Sequence, residues 1–225
     1  MPGGLSTGGT TRPQPREGTA TASPCSPSVG RVPIPEPDHD AAPGRASGPG
    51  RPRDAQRSRV YRAEDAWAAR LDAARRGAVL ATVGSSSLLL PGERRLGSLA
   101  AAAAYVARVL ALPDVVAVVG VLDPPTLRTR RGVTAAHWEP PGVIALPVPA
   151  HGEPWGLRET VLLHELAHHV GETTGRSRGH RAPFPALVLL LAGAALGEQA
   201  AFALRVDYGH QRVEVGVLST HVDRP

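Results

Sequence analysis

One decapeptide of this 225-residue chain has the residue types and spacing of a reactive centre: Val161-Leu162-Leu163-His164-Glu165-Leu166-Ala167-His168-His169-Val170. It contains one His-Glu-x-x-His. Residues four apart on an α-helix share a face, so His164 and His168 can both turn a ring nitrogen toward one metal ion. Glu165 sits one position round, better placed to meet a water on that metal than to bind the metal itself. Zinc held by neutral imidazoles makes such a water acidic enough to ionise near neutral pH, and a carboxylate beside it can collect the proton. The pattern points to hydrolysis, with Zn2+ as cofactor, His164 and His168 as ligands and Glu165 as general base. The flanking positions 161 to 163, 166, 167 and 170 are apolar or small, as a helix buried beneath an active site requires.

Two histidines do not complete a zinc site, which takes a third protein ligand and keeps one position open. In a metzincin a third histidine would stand at position 174, but this chain has Thr174 there. Glu198, on the element after the motif helix, is an alternative of the gluzincin kind but lies far along it. His180 is the expected third ligand. It follows a seven-residue polar loop, Thr173–Gly179, and stands just ahead of an apolar helical stretch in which Phe184 can anchor the fold-back. His169 lies about 100° off the ligand face, which makes it a support for the ligands or an exposed residue. Glu172 is expected in solvent. His137, Tyr208, His210 and Arg158 are the candidates for stabilising a developing oxyanion. Trp67, Trp138 and Trp155 read as core or groove aromatics.

The elements that must hold these residues can be followed along the chain. Residues 1–55 form a Pro/Gly-rich tail without apolar periodicity, in which twenty of the first 53 residues are Gly or Pro. The alternating Pro33, Pro35 and Pro37 suit an extended geometry. Tyr61, Ala63, Ala66, Trp67 and Leu71 predict an amphipathic helix over 58–75, ended by Gly77. Short strands are expected at 78–83 and 87–90, and an alanine-rich helix over 98–112 stopped by Pro113. The valine-rich run 114–122 reads as a buried strand, followed by strands at 126–130, 134–138 and 143–148. The motif helix spans 158–170 with Gly171 as its C-cap, and one long helix over 183–203 follows, with Pro183 and Pro185 in its first turn. Residues 206–210 and 213–217 add a small terminal element, and 218–225 is a second tail. The folded domain is therefore placed at 56–217.

Composition narrows the class further. All 25 basic residues are arginine, and with abundant Ala, Gly and Pro this reads as codon bias. The formal charge of +5 is thus weak evidence for nucleic acid, which is not expected as a direct ligand. Cys25 is the only cysteine, so no disulfide and no cysteine-based zinc site is available. Residues 1–11 lack the charged start and apolar core of a secretory signal, and the apolar run 186–196 is too short to span a bilayer. The expectation is a cytoplasmic protein with no membrane partner.

Strands leading into an HExxH helix and then a C-terminal helix form the arrangement of zincin-type metallopeptidases, so the expected fold class is α+β, a small zincin-like domain with a short sheet. The segments 56–64, 91–98, 131–139 and the HExxH helix together resemble an actinobacterial family of HExxH metallohydrolases. The resemblance covers residues 55 to 210. It implies a single zincin-like domain and a hydrolase without a settled substrate. Gly179-His180-Arg181-Ala182-Pro183-Phe184 is similar to the Gly-His-Gly-Pro-x-Phe pattern of that family and of SprT-like proteases, where the histidine is the third ligand. Arg181 and Ala182 depart from it, and Pro185 is extra. The expected substrate is a peptide or protein amide. The competing reading is a metal-stabilised binding protein whose proline-rich tail recruits a partner.

Overall fold

The computed structural model describes residues 54–78, 80–132, 135–148 and 155–220. The tail up to residue 53, with Cys25 and the Pro33–Pro37 run, lies outside the described residues, as do 221–225. Six helices and two small sheets make an α+β architecture: α1 (Arg57–Arg75), β1 (Ala81–Val83), β2 (Ser86–Leu88), α2 (Leu99–Leu110), α3 (Pro113–Val119), β3 (Thr126–Arg130), β4 (His137–Glu139), β5 (Val143–Pro147), α4 (Glu159–Thr173), α5 (Pro183–Leu196) and α6 (Glu198–His210).

The apolar stripe of α1 (Val60, Ala63, Trp67, Ala68, Leu71) packs on α6, and the Trp67 indole N–H donates to the Ala200 carbonyl at 2.9 Å. The helix α5 fills the space between α6 and α4 with Phe184, Leu187, Val188 and Leu191, all at most 1% exposed. Burying a leucine or phenylalanine side chain contributes about 1.5–3 kcal/mol, so this layer fixes the position of α4. The antiparallel pair β1–β2 stands apart. In the three-stranded sheet, β5 is central, paired in parallel with β3 and antiparallel with β4. The short β4 is thus a sheet edge, and it packs against α4.

A strap of residues 93–96 fixes where α4 begins. The Glu93 carboxylate accepts the Thr160 N–H and hydroxyl (3.3 and 2.5 Å) and the Arg158 guanidinium (2.9 and 2.6 Å). Glu159 N–H donates to the Arg94 carbonyl, and the Arg94 N–H donates back to the Glu159 carboxylate. Two carboxylates thus sit at the helix N-terminus, where exposed N–H groups and the helix dipole favour negative charge.

Several expectations are corrected. The valine-rich run is a helix, α3, not a strand: Pro113 occupies its first turn, Asp114 follows, and Val115 and Val119 share the buried face. Proline's preset φ and an acidic first turn outweigh the β preference of valine, which depends on context. The long C-terminal helix is broken at Gly197 (φ +93°), and the segment 206–210 is simply the end of α6. Residues 213–220 form a strap without regular structure, held where the Gly216 N–H donates to the Ala182 carbonyl at 2.6 Å. Gly171 is not a cap, because α4 runs on to Thr173. Among the described residues no single helix is long and apolar enough to cross a membrane.

Candidate metal centre

His164, Glu165 and His168 project from the middle of α4, and His180 ends the loop that follows. Gly171 makes that fold-back possible. A Cβ there would come within 3.0 Å of the Ser177 side chain and 3.2 Å of its carbonyl oxygen, so the loop lies directly on the helix. The Gly171 carbonyl accepts the N–H groups of Arg176 and Ser177 at 2.9 and 3.1 Å. Gly179 then takes a left-handed φ of +62°, a conformation glycine adopts at little cost, and delivers His180 to the α4 face.

The three expected ligands are brought together. One nitrogen from each of His164, His168 and His180 lies within 4.8 Å of the other two, and His164 Nε2 and His180 Nε2 are 3.4 Å apart. Two nitrogens on a tetrahedral zinc at 2.0–2.1 Å would be about 3.3 Å apart. His164 and His180 are buried at 5% exposure each, and His168 is half-buried. Phe184 lies against all three imidazoles at centroid distances of 4.3–5.0 Å. Tyr61 stacks on His164 at 5.1 Å and packs at a tilt against His180 at 5.2 Å.

Carboxylates absent from the sequence expectation orient two of the ligands. His164 Nδ1 is 2.6 Å from the Glu64 carboxylate, whose other oxygen accepts the Tyr208 hydroxyl at 2.7 Å. His180 Nδ1 is 2.8 Å from Asp54 Oδ2, which also accepts the His180 backbone N–H at 2.8 Å. Gln56 steadies the same loop by donating to the His180 carbonyl at 2.6 Å while accepting the Glu214 N–H. An imidazole that gives its Nδ1 proton to a carboxylate presents an Nε2 lone pair. Two such lone pairs facing each other at 3.4 Å suit a cation between them, so the residues fit a metal ion. Asp54 belongs to the segment that the sequence reading leaves in the tail.

The electrostatics differ among the three imidazoles. Burial, together with the neighbouring His164, His180 and Arg57, holds the His168 pKa well below its ordinary value. Burial also lowers His180, against the pull of Asp54. At His164 burial works downward too, but the Glu64 carboxylate outweighs it and the pKa is raised. Burial pushes Glu165 up to about 7, with the His164 charge and the Trp138 backbone N–H opposing. Glu165 is 4% exposed, and its Oε2 is buried without a hydrogen-bond partner among the described residues. Burial, followed by the Glu165 carboxylate, raises the Tyr61 phenol.

A cleft of about 250 Å³ opens onto the centre, lined by Arg57 and Tyr61 of α1, Ala136 to Trp138 along β4, Glu165, His168 and His180. The chain matches no family model. Comparison with curated proteins and with solved structures also yields no significant match.

The remaining sequence candidates are placed elsewhere or otherwise engaged. Glu198 is exposed at the start of α6 and outside the histidine cluster. Glu172 is half-exposed and faces Arg178. Tyr208 is buried beneath Glu64, Arg158 is bound to Glu93, and His210 is exposed at the end of α6. His137 does line the cleft, but its two ring nitrogens lie 2.9 and 2.6 Å from Arg130 and Glu139. His169 is a buried strut: Nε2–H donates to the Asp123 carbonyl at 2.9 Å and Nδ1 accepts the Trp138 indole N–H at 3.3 Å, tying β4 to α4. The overlooked Glu64 carried a signal in the sequence, a carboxylate on the apolar stripe of α1 between Val60 and Trp67. Asp54 carried none.

Proposed function

We propose that the protein is a zinc-dependent hydrolase with a zincin-like domain, acting on the amide bond of a peptide or protein. The observation that carries this reading is Glu165, buried with an unpartnered carboxylate oxygen, next to a three-histidine cluster at the foot of an open cleft. Three protein ligands leave a tetrahedral ion one open position, the arrangement of catalytic rather than structural sites. When bound, zinc supplies Lewis acidity, which acidifies water and polarises a carbonyl.

Glu165 takes the proton from the attacking water as its oxygen bonds to the carbonyl carbon. The same carboxyl then gives that proton to the departing nitrogen as the C–N bond breaks, leaving an acid and an amine. Its burial beside the histidines places the carboxyl within reach of both proton transfers. The edge strand β4 supports a peptide substrate. It borders the cleft beside Glu165, and an extended chain can add to a sheet edge through main-chain hydrogen bonds. Glu64, Asp54 and Phe184 hold the imidazoles and take no part in proton transfer.

The test is Glu165→Gln in zinc-loaded protein assayed on a pool of internally quenched peptides. We expect full zinc content with hydrolysis reduced at least about 100-fold, in line with the contribution of a positioned base. Hydrolysis at the wild-type rate in the variant contradicts the assignment.

A further inference from the structure

A donor for the oxygen of the reacting carbonyl comes from the first helix. We propose that Tyr61 is a catalytic residue: its hydroxyl, with the Arg57 guanidinium beside it, donates a hydrogen bond to the substrate oxygen as negative charge develops there. The inference rests on the hydrolase reading above and adds the residue which that reading lacks.

Four observations converge on Tyr61. Its ring, from α1, stacks on His164 and packs at a tilt against His180, while Phe184 from α5 contacts the same two imidazoles. It lines the main cleft, and also an apolar side pocket that reaches Ala68, Val161 and Trp155; Glu165 and Ala136 border both spaces as well. Tyr61 therefore borders both spaces beside Glu165. The Arg57 guanidinium lies over the Tyr61 ring, 5.6 Å from its centroid, and lines the same cleft, which adds positive potential beside the phenol. Finally, Tyr61 precedes Glu64 by three residues, so one helix face delivers both the partner that orients His164 and the phenol ring stacked on it.

The alternatives in the cleft are less suited. Both His137 nitrogens are committed to Arg130 and Glu139, and the Trp138 indole N–H is committed to His169. The Trp138 backbone N–H serves Glu165. A phenol held by ring stacking needs no rearrangement to donate, and a donor fixed in advance is what stabilises a developing oxyanion. The developing charge changes no covalent bond of Tyr61, which keeps its proton throughout.

The test uses the full chain loaded with Co2+, whose visible spectrum reports on the metal's surroundings, titrated with acetohydroxamate as an anionic mimic of the reacting group. Tyr61→Phe keeps the ring and its stacking, and thermal unfolding of the variant checks that it folds as the wild type does. We expect equal cobalt content in both proteins and acetohydroxamate affinity about ten- to a hundred-fold weaker in Tyr61→Phe, the scale of one hydrogen bond to a charged group. On any quenched peptide the wild type cleaves, kcat should fall by about 100-fold with KM little changed. Equal acetohydroxamate affinity in two proteins with equal cobalt content overturns the role of Tyr61 and leaves the hydrolase reading standing. Loss of cobalt from Tyr61→Phe alone also overturns it, since the residue then supports the ligands. A wild type that takes up no cobalt sinks the hydrolase reading and this inference together.

Discussion

The two histidine–carboxylate pairs are built in opposite ways. Glu64 and His164 meet in the interior, each projecting from a long helix, and Tyr208 from a third helix closes the group with its hydroxyl. Asp54 and His180 meet at the margin, one from the residues before α1 and the other from a loop, and the Asp54 carboxylate is 28% exposed. The first pair is fixed by helix packing that would exist without a metal. The second depends on short segments held by hydrogen bonds to Asp54 and Gln56 and by the turn at Gly179. The ligand on the motif helix is therefore built into the core, whereas the third ligand is the adjustable side of the site.

The largest effect of removing a carboxylate should fall on the inner pair. Glu64→Ala strips a partner from both the His164 ring and the buried Tyr208 hydroxyl, and each unsatisfied group costs about 1–3 kcal/mol. We expect a lowered unfolding midpoint and zinc affinity weaker by about 100-fold, the upper end for the loss of a ligand's carboxylate partner. Competition against a chromophoric chelator gives the affinity, and thermal unfolding gives the stability. A variant as stable as the wild type would show that the inner pair is no more integral than the outer one.

Asp54→Ala should do less. The Asp54 carboxylate is partly exposed, so little burial is lost with it, and we expect zinc affinity to fall by about tenfold with the unfolding midpoint nearly unchanged. Measured in the same two assays, a fall equal to that of Glu64→Ala would erase the distinction. An unchanged affinity would mean that Gln56 and Gly179 alone orient the third ligand.

The same contrast explains what was legible in the sequence. The motif helix, its histidine pair and the carboxylate proposed as base follow from a spacing of four within one helix, and His180 from one glycine turn ahead of an apolar segment. The α+β class and most elements follow from periodicity. The helix α3 was hidden because Val115 to Val119 is as compatible with a strand as with a helix until Pro113 sets its first turn. Glu64, Asp54 and Tyr61 were hidden for another reason. Each meets the site across a hundred residues of chain or more, and no local pattern encodes a contact of that separation. Glu64 alone left a trace, as a charge on an apolar stripe. Tyr61 entered only as one of the residues that mark the amphipathic helix, yet it lines the cleft. Among the oxyanion candidates, Tyr208 was close to the site but on the far side of Glu64.

The most direct measurement of the central claim is zinc content, by elemental analysis at defined protein concentration, of the wild type beside His180→Ala. We expect about one zinc per wild-type chain and a loss of tightly bound metal in the variant, because two histidines of one helix turn hold zinc weakly without a third ligand. Zinc retained by His180→Ala at wild-type content, or a wild type that binds none, would contradict a three-histidine centre.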